Sequence, residues 1–291
     1  MVQRVATYLG AALLFVLCVG PVALSLFASI MPDQAIFSFP PNWFGYRATF
    51  DNYRYIFTGE IPATYLTAGA NRNMISDAAR QVPGGMLNSM LVALGVMAVN
   101  ILLGAPAAYA FARLRFRGQT ATFLAIVMSR LVPAVALITP FYLLVQALHL
   151  LGTKTALIVV HSVLTLPFTV LILTIFFRRI PREIEEAALL DGCSRMQIFL
   201  QIVLPLAKPG LIATSLLVLI LAWNEYLLAL FLSTAKAQTM PILVAAQNGT
   251  RGPQWWYMSA LIVIMIAPVV ALTVATQKYI AKGLLLGAVK G

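Results

Sequence analysis

The amino-acid sequence predicts an all-α membrane protein with six transmembrane helices and with both termini in the cytoplasm. Of the 291 residues, 61% are hydrophobic and 10% are charged, whereas soluble proteins carry roughly 25% charged residues. A soluble protein of this size could not cover its surface with so few charges, so the apolar excess is expected to face lipid. The cysteines, Cys18 and Cys193, are too few and too far apart to suggest a disulfide framework or a zinc site.

The six predicted spans are stretches with almost no charge, and each is long enough to cross a hydrocarbon core that needs about 20 apolar residues. In chain order they are Val5–Pro32, Gln81–Ala112, Gly118–Thr153, Thr155–Phe177, Pro209–Ala235 and Gly252–Gln277. Within the second stretch the span is predicted to begin near Met86. Arg130 interrupts the third stretch and Glu225 the fifth. The first stretch is longer than the apolar core of a signal peptide, so it is predicted to remain in the protein as a span.

The distribution of lysine and arginine predicts the orientation in the membrane. With the N-terminus inside, twelve of these residues lie in the inner segments and seven in the outer ones. Because basic residues concentrate on the cytoplasmic side of membrane proteins, both termini are predicted to be cytoplasmic. The formal net charge of +11 then reflects this orientation more than nucleic-acid binding.

The whole chain, residues 1–291, is predicted to form a single transmembrane domain, because neither a low-complexity linker nor a clear internal repeat divides it. Three segments outside the bilayer are long enough to carry function. They are a polar outer segment at 33–85, a cytoplasmic segment at 178–208 and an outer loop at 233–257.

The cytoplasmic segment is predicted to contain two short helices joined by a glycine turn. Pro181 suits the first helical position, where its missing N–H would be unpaired in any case, and Gly192 suits a left-handed cap. Ser194 and Gln197 have the spacing of a capping box that begins the second helix, and Pro205 and Pro209 are expected to end it. An ordinary connection on the membrane surface would show the same features.

The order of residues in this segment resembles the EAA motif of ATP-binding-cassette (ABC) importer permeases. Glu186-Ala187-Ala188 is followed after three residues by Gly192 and, after nine more, by Ile202-Val203-Leu204-Pro205. Ala222-Trp223-Asn224-Glu225-Tyr226 in the fifth span is also similar to the carbohydrate-importer permeases. The resemblance is to the second permease of the maltose-type transporter in particular. Residues 178–208 are therefore called the EAA segment below.

This resemblance implies the fold of a type I ABC importer permease in the bacterial inner (cytoplasmic) membrane. Such a permease forms half of a translocation pathway with a second, usually non-identical permease, and an extracytoplasmic binding protein delivers the carbohydrate or polyol. Two cytoplasmic ATPase subunits bind ATP and magnesium and dock on the EAA helices. This chain has no G-x-x-x-x-G-K-[ST] phosphate loop, so it is expected to be no enzyme and to hold no catalytic residue, cofactor or metal. The residues implied at the ATPase contact are Glu185, Glu186, Ala187, Ala188, Asp191, Gly192, Ile202, Leu204 and Pro205.

Two charged side chains inside the predicted spans, Arg130 and Glu225, are candidates for the substrate path, because ionisable groups are expensive in the membrane. The other interpretation is a buried ion pair between them that holds the third span against the fifth. If Arg130 lines the path, an anionic sugar becomes more plausible than a neutral one. Trp223 and Asn224 join the path candidates, since an aromatic face beside an amide suits a sugar.

Glu225 also supports an alternative function, a self-contained secondary carrier in which this carboxylate couples transport to protons. His161 in the fourth span is expected on a helix packing face and not at a substrate. The two functions differ in their energy source, since uptake depends on ATP in the first and on a proton gradient in the second.

The outer loop is a candidate contact for the binding protein. Its position matches a loop that in the maltose-type permease reaches into the binding protein. The residues implied at this contact are Gln247, Asn248, Gly249 and Thr250. Trp255-Trp256-Tyr257 follows, and it suits an aromatic anchor at the membrane interface.

Overall fold

The computed structural model of the protein describes residues 2–36, 45–60, 77–249, 252–253 and 255–288. Within these residues it is almost wholly helical, and four helices are long and apolar enough to cross a membrane. Two further pairs of helices pass the same test together, and each pair is sharply bent at a short break. Counting each bent pair as one span gives up to six candidate spans, the number that the sequence predicts, although the second pair begins at Arg195 in the predicted cytoplasmic segment.

The helices are numbered in chain order. Their bounds are α1 (Val2–Ser29), α2 (Asp33–Ile36), α3 (Asp51–Thr58), α4 (Val82–Arg113), α5 (Gln119–Met128), α6 (Ile138–Ala147), α7 (Lys154–Arg179), α8 (Arg182–Leu190), α9 (Arg195–Ile198), α10 (Leu204–Leu206), α11 (Lys208–Trp223), α12 (Leu227–Leu232), α13 (Met240–Ala245) and α14 (Trp255–Ala288). Short 3₁₀ turns occupy Asp77–Gln81, Ser129–Leu131 and Ala134–Leu137, and a π-helical turn occupies Phe199–Val203. The two-residue strands β1 (Asn248–Gly249) and β2 (Gly252–Pro253) pair antiparallel.

By their internal contacts the residues group into two compact units. The first contains residues 1–87 and 239–268, and the second contains residues 88–238 and 269–291. The EAA segment and the predicted third, fourth and fifth spans all belong to the second unit.

In the first unit, α3 is fastened to the end of α1 by a buried asparagine. The Nδ2 of Asn52 donates to the carbonyl oxygens of Ser29 (2.7 Å) and Met31 (3.2 Å). The last carbonyl groups of a helix have no partner inside it, so Asn52 satisfies acceptors that the end of α1 leaves open. Tyr55, on the same short helix, packs against Tyr257 of α14 with 5.0 Å between the ring centroids.

In the second unit, α4 and α7 pack through a polar contact and a glycine. The Nδ2 of Asn100 donates to Oγ1 of Thr165, and its Oδ1 accepts from Oγ1 of Thr169, each at 2.9 Å. Gly104, one turn further along α4, is so close to α7 that a Cβ there would lie 2.6 Å from Cγ2 of Thr169. Small residues and interhelical hydrogen bonds are the usual means by which membrane helices associate.

The third predicted span is not the single helix that its apolar length suggests. The part Gln119–Leu131 meets the part Ala134–Ala147 at an angle of 97°. Pro133 lies at this break, where it has no N–H to continue a helix, and its ring disfavours a helical Val132, whose ψ is 121°. The prediction of one helix is therefore wrong, although the two parts together are long enough to form one broken span.

The fifth predicted span also ends earlier than its apolar length suggests. α11 stops at Trp223, and three residues, Asn224 to Tyr226, separate it from α12. At its other end, α11 meets the second half of the EAA segment at a bend of 78°. Glu225 therefore lies at a break between helices and not inside a continuous helix.

Candidate functional site in the EAA segment and the fifth span

The EAA segment begins with α8, whose start depends on a proline and on acidic residues. Pro181 precedes the helix as its N-cap residue, with a ψ of 135°, so it lies one position earlier than predicted. Glu183 and Glu185 follow in the first turn, where carboxylates interact favourably with the positive end of the helix dipole. These residues specify where α8 starts.

α8 ends as predicted, with Gly192 in the left-handed conformation at a φ of +86°. The N–H of Gly192 donates to the carbonyl of Leu189 (3.1 Å), and the N–H of Cys193 donates to that of Ala188 (3.0 Å). This pair of hydrogen bonds is a Schellman motif. A Cβ at position 192 would meet no atom within 4 Å, so the need for glycine comes from the backbone conformation and not from crowding.

The second helix of the segment begins at the predicted capping box. The N–H of Ser194 donates to Oε1 of Gln197 (2.8 Å), and the N–H of Gln197 donates to Oγ of Ser194 (3.3 Å). The chain then makes a π-helical turn, in which the N–H of Leu204 donates to the carbonyl of Phe199. The helix was predicted to end at Pro205 and Pro209, and it ends between them, at Leu206. It continues past Pro205 because the wider turn accommodates a residue that has no N–H.

A hydrophobic cluster attaches the EAA segment to the ends of α4 and α7. The ring of Phe199 lies 4.9 Å from that of Tyr109 in α4 and 6.3 Å from that of Phe177 in α7, measured between centroids. Ala188 and Ile198 are buried in the same cluster. The second alanine of the motif therefore packs inward, between α8 and the spans.

Glu185 is buried beside this cluster, with 10% of its side chain exposed. Its Oε1 accepts from Nε of Arg113 at 2.5 Å, and its Oε2 accepts from the hydroxyl of Tyr109 at 2.8 Å. The Nη2 of Arg113 donates in turn to the carbonyl of Ile180, just before α8. Glu185, which was expected at the ATPase contact, therefore faces its own chain. There Arg113 supplies the opposite charge that a buried carboxylate needs.

The outward face of the EAA segment carries most of the other motif residues. Glu186, Ala187, Asp191, Gly192 and Pro205 are exposed, whereas Ile202 and Leu204 are partly buried. Large apolar side chains of the same segment are exposed as well, Leu190 at 90% and Met196 at 65%. Exposed apolar side chains grouped with polar ones are typical of a protein-binding surface.

Glu225 caps the helix that follows the break in the fifth span. Its Oε1 accepts from the N–H of Leu228 and its Oε2 from the N–H of Ala229, both at 3.0 Å. The Nε2 of His161, a buried residue of α7, lies 2.9 Å from Oε2 of Glu225. The first N–H groups of a helix have no partner inside it, and they need one at membrane depth. The carboxylate therefore satisfies donors that the break creates.

The predicted ion pair between Arg130 and Glu225 is wrong. Arg130 is exposed in the 3₁₀ turn after α5, and its Cζ lies 4.5 Å from the centroid of the Phe168 ring. Glu225 pairs with His161 instead. Both spans are broken next to these residues, so the depths expected for straight helices do not apply.

The neighbouring path candidates differ in their exposure. Trp223 is 2% exposed, so its aromatic face is not presented to a ligand, whereas Asn224 is exposed. The Nδ2 of Asn224 donates to the carbonyl of Ile220 in its own helix (2.8 Å). The predicted amide beside an accessible aromatic ring is therefore not formed, and Arg130 and Asn224 are the exposed candidates.

The structure describes part of the candidate contact loop. Gln247 is buried, and its Nε2 donates to the carbonyl of Leu243 (3.0 Å). Asn248 is exposed and, with Gly249, forms β1, whereas Thr250 lies outside the described residues. Asn248 is thus the exposed candidate in this loop. Residues 37–44 and 61–76 of the outer segment and 289–291 of the tail also lie outside the described residues.

Up to six apolar spans among the described residues, two of them bent helix pairs, and a helix–turn–helix segment with the EAA spacing define a class of protein, the membrane-spanning subunits of transport systems. Within the part of the chain that the structure describes, no group of three His, Cys, Asp or Glu side chains is placed to hold a metal ion. The chain belongs to the family of binding-protein-dependent transport system inner membrane components, whose model matches residues 100–285. It is therefore a multi-pass protein of the inner membrane.

Two named relatives match most of the chain. It is 33% identical over 285 residues to the sulfoquinovosyl glycerol transport system permease protein SmoH of Agrobacterium fabrum, and the match covers 98% of this chain and 93% of the relative. It is 36% identical over 247 residues to the trehalose transport system permease protein SugB of Mycobacterium tuberculosis, and this match covers 84% of this chain and 82% of the relative.

The fold is also similar to that of a solved structure. The match is to a chain in the crystal structure of a bacterial ABC transporter involved in the import of the acidic polysaccharide alginate, at a TM-score of 0.72 and 21% identity. It covers 96% of this chain and 98% of the other. At this identity the likeness concerns the fold alone, which is that of an ABC importer permease.

Proposed function

We propose that this chain is one of two permease subunits of an ATP-driven importer for a carbohydrate or polyol. Relatives named as permeases for trehalose and for sulfoquinovosyl glycerol support the substrate class. Membership of the family supports a binding protein that delivers the substrate. The observation that carries the coupling part of the proposal is the exposed turn at Gly192, between two helices that are packed onto the ends of α4 and α7.

In this proposal the EAA segment is a stiff link between an ATPase dimer and the spans. α8 ends in a Schellman motif, α9 begins at a capping box, and both pack on the cluster around Tyr109 and Phe199. Close-packed groups transmit displacement, so a movement of the exposed face would reach α4 and α7. ATP and magnesium would be bound by the ATPase subunits. The segment and both termini would face the cytoplasm, in line with the distribution of basic residues.

The substrate path is proposed to run past the breaks in the third and fifth spans. Irregular backbone at membrane depth is tolerated where it lines a cavity or is buried in protein. Arg130 and Asn224 are exposed next to these breaks. An arginine on the path would favour a sugar that carries a negative charge, because guanidinium groups form strong hydrogen bonds with anionic oxygens.

A proton-driven carrier that uses Glu225 is not favoured. Both oxygens of Glu225 accept backbone N–H groups at the start of α12. The family consists of components of binding-protein-dependent systems. Its capping of α12 therefore explains why a carboxylate lies in the span, without a role in proton transfer.

The coupling role is tested at Gly192 in the chain co-expressed with its partner subunits. Gly192→Val should lose uptake and most of the ATPase attachment, because a bulky residue in the left-handed conformation costs on the order of 1–2 kcal/mol and would misdirect α8. Gly192→Asn is the matched control, since asparagine tolerates this conformation, and it should keep both. The measurements are retention of ATPase subunits on the purified permease and uptake into proteoliposomes.

Full ATPase attachment and full uptake by Gly192→Val would contradict the coupling role of the turn. The amount of permease in the membrane is measured in parallel and should be unchanged. For the substrate class, the binding protein that co-purifies with the chain is offered neutral and anionic sugars and polyols. Binding of none of these would contradict the carbohydrate part of the proposal.

A further inference from the structure

A basic cavity of about 230 Å³ lies where four elements of the second unit meet, at the ends of α4 and α7 and at the starts of α5 and α8. Its lining includes the four arginines Arg113, Arg115, Arg178 and Arg182, together with Phe111 and Gln119. Arg115, Arg178 and Arg182 are exposed, so their side chains are accessible to a ligand from solution or from the membrane surface. Four arginines that line one small cavity make it a favourable place for an anion.

The chain itself supplies some negative charge to these arginines. Glu185 pairs with Arg113, and the Nη2 of Arg178 is 3.4 Å from the carbonyl oxygen of Phe111, which is neutral. Among the described residues, neither Arg115 nor Arg182 has an acidic partner within ion-pair distance. The charge of three arginines is thus not offset by a carboxylate.

Arg182 is placed where its own helix does not stabilise it. It is the first residue of α8, and the positive end of a helix dipole interacts unfavourably with a cation. An anion in the cavity would interact favourably with both the guanidinium group and the helix end. The placement of Arg182 is therefore a second reason to expect a bound anion.

We propose that this cavity binds a phosphate group, which belongs either to an anionic phospholipid or to free phosphate. Guanidinium groups match the oxygens of phosphate with pairs of parallel hydrogen bonds. The volume is below the range of about 300–1,000 Å³ that is typical of pockets enclosing a whole small molecule. It therefore suits a headgroup phosphate better than a nucleotide.

The position of the cavity also fits a lipid headgroup. It lies at the ends of two membrane-spanning helices, α4 and α7, and beside α5, which has no buried residue. Basic pockets between spans on the cytoplasmic side are known to bind anionic headgroups. The choice of this leaflet rests on the orientation given in the proposed function. A bound phosphate would join the ends of α4 and α7 to the start of the EAA segment, so the lipid would affect coupling.

The test compares three forms of the assembled complex, which are the wild type, Arg115→Gln with Arg182→Gln, and a control with Arg117→Gln and Arg179→Gln. The control removes the same charge from the same end of the molecule, but its residues do not line the cavity. Native mass spectrometry counts phosphatidylglycerol and phosphatidylcholine retained from mixed micelles. The wild type and the control should retain phosphatidylglycerol selectively. The cavity variant should bind it about 25-fold more weakly, since it loses the direct hydrogen bonds of two guanidinium groups, each of which contributes about five-fold to the affinity.

A titration with inorganic phosphate separates the two sources. Displacement of phosphatidylglycerol by inorganic phosphate would assign the cavity to free phosphate, and retention against it would assign the cavity to the lipid. Equal retention of phosphatidylglycerol and phosphatidylcholine by the wild type, with no phosphate binding, would overturn the proposal. So would equal binding by the wild type and the cavity variant.

One further variant and one further measurement separate lipid binding from misfolding and from failure of the proposed function. Arg115→Gln alone changes a residue outside any helix, so it should keep the fold and bind the lipid about five-fold more weakly. ATPase retention is measured on the same samples. If the cavity variant loses the lipid while the ATPases stay attached, the loss is due to the cavity. If the ATPases are absent from all three forms while the lipid stays bound, that result counts against the proposed function alone.

Discussion

Glu185 and Glu225 are both shielded from solvent, but the chain uses them differently. Glu185 joins elements that are far apart in the sequence, since it holds α8 to α4 through Arg113 and Tyr109. Glu225 acts mainly on residues close to it in the sequence, because it accepts hydrogen bonds from the N–H groups three and four residues further on. His161, which it also contacts, is the partner that lies far away in the sequence. A charge that links elements can transmit movement, whereas one that caps a break preserves a local shape. The two carboxylates should therefore fail in different ways.

The largest effect is expected at the link between α8 and α4. Arg113→Ala leaves Glu185 buried without its cation, which should destabilise the permease by about 3–5 kcal/mol. Arg113→Met combined with Glu185→Leu replaces both charges by apolar groups and should recover most of that loss. Thermal unfolding of the solubilised permease measures both variants. If the double variant were as unstable as Arg113→Ala, the ion pair would not be the main contact of this link.

A smaller effect is expected at the break in the fifth span. Glu225→Ala leaves two N–H groups at the start of α12 without their acceptor, at a cost of about 1–3 kcal/mol. Glu225→Gln keeps one acceptor oxygen and should lose less. Unfolding and uptake are measured together for each variant. Loss of uptake by Glu225→Gln at normal stability would show that the charge of Glu225 does more than cap the helix.

The smallest effect on stability is expected at Arg130. Its position over Phe168 at an exposed site contributes about 0.5–1 kcal/mol, so Arg130→Ala should unfold only slightly more easily. The losses in the free energy of unfolding caused by Arg130→Ala and by Glu225→Ala should add to within about 0.5 kcal/mol in the double variant, because the two residues are not paired. A larger deviation from additivity would revive the ion pair between them.

Arg130 also gives a test of substrate charge that is separate from stability. If it lies on the path, Arg130→Ala should reduce uptake of an anionic sugar more than uptake of a neutral one. Uptake of both sugars by proteoliposomes with equal amounts of permease measures this ratio. An unchanged ratio would remove Arg130 from the substrate path.

Local features of the candidate site were predicted correctly, because they depend on residues close together in the chain. The left-handed Gly192 and the capping box of Ser194 and Gln197 each involve a few consecutive residues. Their backbone geometry follows from side-chain chemistry at fixed spacing. The same holds for the number of spans, which requires only apolar length.

The partners of the charged residues could not be predicted in this way. Arg113 lies 72 residues before Glu185, and no local pattern marks Tyr109 as a hydrogen-bond donor to the same carboxylate. The partner of Glu225 was assigned by assuming straight helices, whereas the break after Trp223 exposes N–H groups that need an acceptor. Such partners depend on the positions of whole helices.

The sequence by itself determined the apolar spans, the caps of the EAA segment and the need for glycine at position 192. The tertiary structure decided which prolines break a span. Pro106 and Pro167 lie inside the continuous helices α4 and α7, whereas Pro133 lies at a bend of 97°. All three remove an N–H and crowd the preceding turn. Whether the helix continues depends on whether neighbouring groups satisfy the carbonyls that are left open, and those neighbours are brought together only by the packing of the whole chain.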